Sequence, residues 1–349
     1  MGLSIFWFVL VALFWTGFFV LEGFDFGVGM LHTVVGRNDE ERQLALDSIG
    51  PLWDGNEVWL IVAGASMFAA FPGWYATMFS ALYLPLVLIL VALILRGVSF
   101  EYRDKRDSSR WRQTWSTLMT VSSLVAPLLI GVGLGDLLHG LPIDSQQEFT
   151  GTPLDLVSPY SLFVGVTIVA LCVVHGATFL ALKVDGPVRA RAHTIARASG
   201  PVAALAVLGY VIWTQTLIGG VLPGLVPILA ILAALSTALL VQRRLEGWAF
   251  ASTTVAMAAS VSTIFLSLYP RVMVSSTNPA YDLTIQNTSS SSYALTVMTI
   301  FAAVLFPLVL VYQGWTYYVF RRRLGGTAAS KLPEQAGASR RGPSPVAGL

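Results

Sequence analysis

Apolar stretches of about twenty residues, each enough to cross ~30 Å of hydrocarbon, recur along the whole chain between short polar segments. Their spacing predicts helices over 5–34, 51–70, 76–98, 115–138, 161–182, 196–216, 222–241, 248–269 and 293–320. The first lacks the basic start and small-residue cleavage site of a secretory leader, so it is expected to stay in the mature protein. Residues 325–349 are rich in Gly, Ala, Ser and Pro and are expected to form a disordered tail behind a membrane domain spanning 1–324. The pattern is that of an all-α polytopic membrane protein, and its loop lengths fit two four-helix groups with a ninth helix beside them.

Charge tests the helix count. Segments after the first, third, fifth and seventh predicted helices, together with the tail, hold twenty of the twenty-one Lys and Arg, while Arg271 stands alone on the other side. An error of one helix would scramble that split. The positive-inside rule then puts the N-terminus outside and the C-terminus in the cytoplasm of a bacterial plasma membrane. With 55% apolar residues and a net charge of +2, the basic side chains read as topology signals and contacts to membrane lipids, not as a nucleic-acid face. One cysteine, Cys172, excludes an intrachain disulfide and a cysteine cluster for zinc or iron–sulfur.

Against this background the acids inside the helices stand out. A charged carboxylate at a helix centre costs ~2.5–3.5 kcal/mol in a membrane, so such residues mark functional sites. Glu22 and Asp25 lie in the first helix; Asp54 and Glu57, three apart and so about 60° apart around the axis, open the second beside Asn56. Both can face one buried groove, and the charge-based orientation brings all four to the cytoplasmic side. The alternative for Asp54 and Glu57 is a polar helix start, where an acid suits the N-terminal dipole. Gly23 and Gly27 let another helix approach these acids closely. A cluster of acids with Asn56 and His32 suits a proton relay, but chemistry alone does not separate a proton-coupled secondary transporter from a redox complex.

At these residues the sequence resembles subunit II of the cytochrome bd-type quinol oxidases. The likeness rests on Glu22 to Leu31 with Gly36-Arg37-Asn38-Asp39, on Trp53-Asp54-Gly55-Asn56-Glu57-Val58-Trp59, on Arg96 to Arg103 with Arg110-Trp111-Arg112, and on Val272 to Thr277. It implies two four-helix bundles plus one peripheral helix, paired with a haem-bearing subunit I that holds haem b, haem d and the quinol site. It also implies a terminal oxidase that couples quinol oxidation to reduction of oxygen to water, with no catalytic or metal-binding residue in this chain. By position it assigns Asp25, Asp54 and Arg96 to a proton pathway and Trp59 to the oxygen route, and Glu22 joins the pathway at a position where Asp is also found, so that its carboxylate chemistry is retained. Glu57 joins the pathway as a departure from the family's Gln. Small single-helix accessory subunits and a bound structural quinone belong to the same expectation. Arg outnumbers Lys eighteen to three, a bias of GC-rich genomes, and an actinobacterial source would make menaquinol the substrate.

His175 has no partner suggesting a haem axial pair and is expected to be a satisfied core residue. His32 is open between joining the relay and simple hydration at the interface. His139 and His193 fall at loop positions. The aromatic residues between Phe6 and Phe19 are expected to pack against lipid or another helix.

Overall fold

The computed structural model describes residues 2–220 and 224–325. Eleven α-helices run in the order α1 (Gly2–Val35), α2 (Asp39–Asp47), α3 (Trp53–Ala70), α4 (Pro72–Ala81), α5 (Tyr83–Tyr102), α6 (Ser109–His139), α7 (Pro159–Lys183), α8 (Pro187–Leu217), α9 (Leu225–Gln242), α10 (Glu246–Leu268) and α11 (Ser292–Val319). A short antiparallel pair, β1 (Arg271–Met273) and β2 (Leu283–Thr284), lies in the segment between α10 and α11. Among the described residues eight helices are long and apolar enough to cross a membrane: α1, α5, α6 and α7 to α11. The eighteen-residue α3 falls short because Asp54, Asn56 and Glu57 crowd its first two turns.

Several helices start earlier than their apolar cores. Ser108 accepts from the Trp111 amide and opens α6 at Ser109, six residues before the expected start, and Pro187 at the first helical position opens α8 nine residues early. The continuous helix expected over 76–98 is instead divided into α4 and α5 at Leu82. Pro85 supplies the reason: it has no N–H, and its ring collides with the carbonyl four residues back, so the helix resets before it. The polar segment 36–50 holds α2, capped by Asn38 through the Glu41 amide, with Asp39, Glu40 and Glu41 in its first turn. The start of the helix expected over 222–241 lies outside the described residues, as does the tail expected over 325–349 from residue 326 onward.

α1 is the axle of the fold, packing against α3, α6, α7 and α10. Small residues set its closest approach. A methyl group at Gly27 would run into the Cys172 carbonyl oxygen and lie 2.8 Å from the Gly176 Cα, so α1 and α7 meet backbone to backbone. Polar contacts gather the connections at two ends. At the basic end, Arg191 pairs with Glu41, Arg103 and Arg112 with Asp39, and Arg189 and Arg323 with Glu246. At the opposite end, the Ser290 hydroxyl donates to the Ala69 carbonyl, Thr77 donates to the Gln147 carbonyl, and Leu141 bridges to Ser275.

Candidate functional site

The buried charges of α1, α3 and α5 converge toward the basic end. Arg96 of α5 is fully buried, and its Nη1 is ion-paired with Glu22 of α1 and with Glu57 of α3, the latter at 3.2 Å. Its guanidinium also lies 4.8 Å from the centre of the Phe26 ring, an aromatic face that favours a cation. Asp25, one turn from Glu22, accepts a hydrogen bond from Asn56 Nδ2 at 2.7 Å; the same Nδ2 donates to the Leu21 carbonyl at 3.1 Å. On the other side of Asn56, its Oδ1 accepts from Gln313 Nε2 at 2.8 Å and from the Tyr317 hydroxyl at 2.9 Å, both on α11. Four helices therefore meet in one polar knot.

Three carboxyl groups face a single guanidinium. In a low-dielectric interior one cation balances one anion, so the surplus carboxyls are the groups able to carry an exchangeable proton. Oε2 of Glu22 and one oxygen of Asp25 are buried with no hydrogen-bond partner among the described residues, which leaves acceptor capacity at the heart of the knot.

Five of the expected polar positions fall together and one stands apart. Glu22, Asp25, Glu57 and Arg96 share the knot, and Asn56 joins them as the hinge between α1 and α11. Asp54 does not share a buried groove with Glu57: it is exposed, makes no hydrogen bond or ion pair among the described residues, and lies on a cleft between α3 and α11. A 60° offset around α3 is enough to turn Glu57 toward α5 and Asp54 toward α11. That cleft encloses about 810 Å³ and is walled by Trp7, Phe14, Trp59, Phe301 and Phe306. Trp59 is buried against Gly17, where a methyl group would lie 2.7 Å from its ring, and it meets Phe14 and Phe306 edge to face.

His175 is a core residue: one ring nitrogen bonds the Thr253 hydroxyl at 2.6 Å, the other the Val20 carbonyl at 3.1 Å, and the ring stacks on Phe250. Neither nitrogen is free for an iron. His32 is fully buried, not hydrated at a surface, with Nδ1 2.7 Å from the Gly29 carbonyl and Nε2 unpartnered among the described residues. Gln313 and Tyr317 were not singled out by the sequence; the signal was an amide inside an otherwise apolar helix. Asp136 near the far end of α6 is likewise buried with both carboxyl oxygens unpartnered among the described residues, and an acid in an apolar run was its signal.

The family model for cytochrome bd terminal oxidase subunit II matches residues 3–320. The cytochrome bd ubiquinol oxidase subunit 2 of Bacillus subtilis (strain 168) is 42% identical over 326 residues, which cover 91% of this chain and 96% of the relative. The cytochrome bd-I ubiquinol oxidase subunit 2 of Escherichia coli (strain K12) is 35% identical over 354 residues, covering 89% and 92%. Among solved structures, a chain of the bd oxidase from Geobacillus thermodenitrificans superposes with a TM-score of 0.73 at 18% sequence identity, covering 91% of this chain and 99% of that one, a likeness of fold.

Proposed function

The chain belongs to the cytochrome bd terminal oxidase subunit II family, and from that premise we propose that its buried knot delivers protons to the oxygen-reducing centre of the complex. The protein is a membrane-embedded subunit of a quinol oxidase, and a transporter is not favoured. The observation that carries the proton role is the pairing of one buried arginine, Arg96, with Glu22 and Glu57 beside the Asn56-bonded Asp25. Reduction of oxygen to water consumes protons as well as electrons, and an intramembrane acid cluster open toward one end supplies them.

In this reading α1, α3 and α5 to α11 are nine spans, arranged as two four-helix bundles with α11 peripheral. The N-terminus is outside, and the basic end with the C-terminus is cytoplasmic. Asp54 is the mouth: exposed on the α3–α11 cleft, it takes a proton from water and passes it to Glu57, which lies within its electrostatic reach. Glu22 and Asp25 then hold protons inside, Arg96 keeps the carboxyl chain in place, and Asn56 orients Asp25. Haem b and haem d, which supply the electron chemistry, reside in this reading in the partner subunit I, as membership of the family implies. Trp59 borders the oxygen route along the cleft. Menaquinol is the reductant; a structural quinone and single-helix accessory subunits complete the assembly.

The test is steady-state oxygen consumption by the purified complex carrying Glu22→Gln or Asp54→Asn. Both should assemble with their haem spectrum intact. Glu22→Gln should slow turnover ~100-fold, the lower end of what a proton-transferring group contributes, and Asp54→Asn by less. Parent-like turnover in Glu22→Gln would remove the knot from the proton route.

A further inference from the structure

Most of the buried polar side-chain atoms without a hydrogen-bond partner among the described residues lie along one seam, between α1, α5 and α6. At its inner end are Glu22, Asp25 and Arg96. Seven residues along α5 from Arg96, and so on the same face about 10 Å nearer the basic end, is Arg103, also buried, with Ser99 between them. Arg103 Nε donates to Ser116 of α6 at 3.0 Å, and its guanidinium reaches the half-exposed Asp39 of α2 at 3.5 Å, where the seam opens to solvent. On α1, His32 sits seven residues from Asp25 and on its face. One turn inward from His32, Gly29 is pressed against Ser123 of α6. Thr120, one turn from Ser116 on the same stripe of α6, has a buried hydroxyl without a partner among the described residues.

His32 holds the middle of this seam. Its Nδ1–H donates to the Gly29 carbonyl, so Nε2 presents a lone pair, fully buried and with no donor to meet it among the described residues. The charged groups near enough to act on it are Arg103, which caps the end of α5, and Arg42 of α2. Arg103 is balanced by Asp39 and Asp104, and Arg42 by Asp39. Buried polar groups of this kind are satisfied by ordered water, and a row of them between an aqueous mouth and an acid cluster describes a water file.

We infer that the α1–α5–α6 seam is a second proton inlet, leading from Asp39 and Arg103 past His32 and Thr120 to Glu22, with His32 as the residue that positions its water. The inference rests on the proposed proton role of the knot. A proton arrives as an excess proton on the water at Asp39, hops between waters anchored by Arg103, Thr120 and His32 Nε2, and is taken up by the Glu22 carboxylate; His32 ends each passage as it began. The Asp54 mouth and the seam converge on Glu22.

The experiment uses the assembled oxidase and four variants: His32→Leu, His32→Gln, Asp54→Asn and the His32→Leu/Asp54→Asn double variant, with oxygen consumption followed against pH. The turnover remaining in Asp54→Asn should fall by a further ~tenfold or more when His32→Leu is added, reaching the level of Glu22→Gln. The loss should grow as pH rises, because the excess proton on the file becomes scarcer. His32→Gln, which keeps a hydrogen-bonding side chain, should restore most of it. Thr120→Val in the Asp54→Asn background is the second variant and should also slow turnover. The inference is overturned if His32→Leu adds nothing to Asp54→Asn, if its loss is independent of pH and unrescued by Gln, or, where His32→Leu does not assemble, if Thr120→Val is silent. Parent-like turnover in Glu22→Gln instead marks failure of the proton role itself, so the two failures are told apart.

Discussion

α1 and α11 are long, almost wholly apolar helices of 34 and 28 residues, yet half of the most apolar window of α1 is buried within the subunit and only 6% of that of α11. The difference is not hydrophobicity. α1 carries Gly23, Gly27 and Gly29, which let α6 and α7 close onto its backbone, and Glu22 and Asp25, which require partners. α11 has one interior glycine, Gly314, with nothing near its missing side chain among the described residues, and holds to the rest through Phe306 against Phe14 and Trp59, through Gln313 and Tyr317, and through the contacts of its ends. Lipid tails are as apolar as leucine, so in a bilayer close backbone approach and polar partners decide which helix is central.

The largest effect should come from breaking what makes α1 central. Arg96→Leu leaves Glu22 buried without its cation, a change that costs about 3–5 kcal/mol for a buried pair, and should abolish recovery of haem-containing complex from membranes. A normal yield would show that the charges of α1 do not hold it in place. Next in size, Gly27→Ala should destabilise the complex by about 1–3 kcal/mol, as expected of overpacking, because the added methyl meets the Cys172 carbonyl and Gly176. Gly314→Ala on α11 should leave thermal unfolding of the purified complex unchanged, and equal effects at the two glycines would erase the contrast.

Smaller again is the seam between the two helices. Tyr317→Phe removes one of two donors to Asn56 Oδ1 and should cost about 0.5–1.5 kcal/mol, since Gln313 still donates. Double-variant analysis with Gln313→Leu should show the two coupled, and simple additivity would mean that they do not share the acceptor.

The smallest effect lies at the basic end. Hydrogen bonds from Arg191 and the Arg37 amide hold the Glu41 carboxyl below its ordinary value. Because that value is lowered on folding, the contribution is present above the unfolded value and is lost as pH falls through the folded one. Glu41→Gln should therefore lower stability slightly at neutral pH and not at all in strong acid; a difference that persists in acid would rule out the charge as its source.

The sequence alone determined that this is a helical membrane protein, where most of its spans lie, which segments carry the basic residues, and that Glu22, Asp25, Asp54 and Glu57 are exceptional, while Arg96 was marked by the family resemblance. Those features are local: a run of apolar residues or an acid within it is visible without knowing its neighbours. Even Pro85, which divides the 76–98 segment, was legible as a helix breaker. Tertiary structure alone decided that Glu57 and not Asp54 reaches Arg96, that Asn56 bonds Asp25 on one side and α11 on the other, and that His32 is sealed in a polar seam. Helical periodicity sets the angle between two side chains on one helix but not the rotation of that helix against its neighbours, and here a rotation of α3 separates a buried ion pair from an exposed acid.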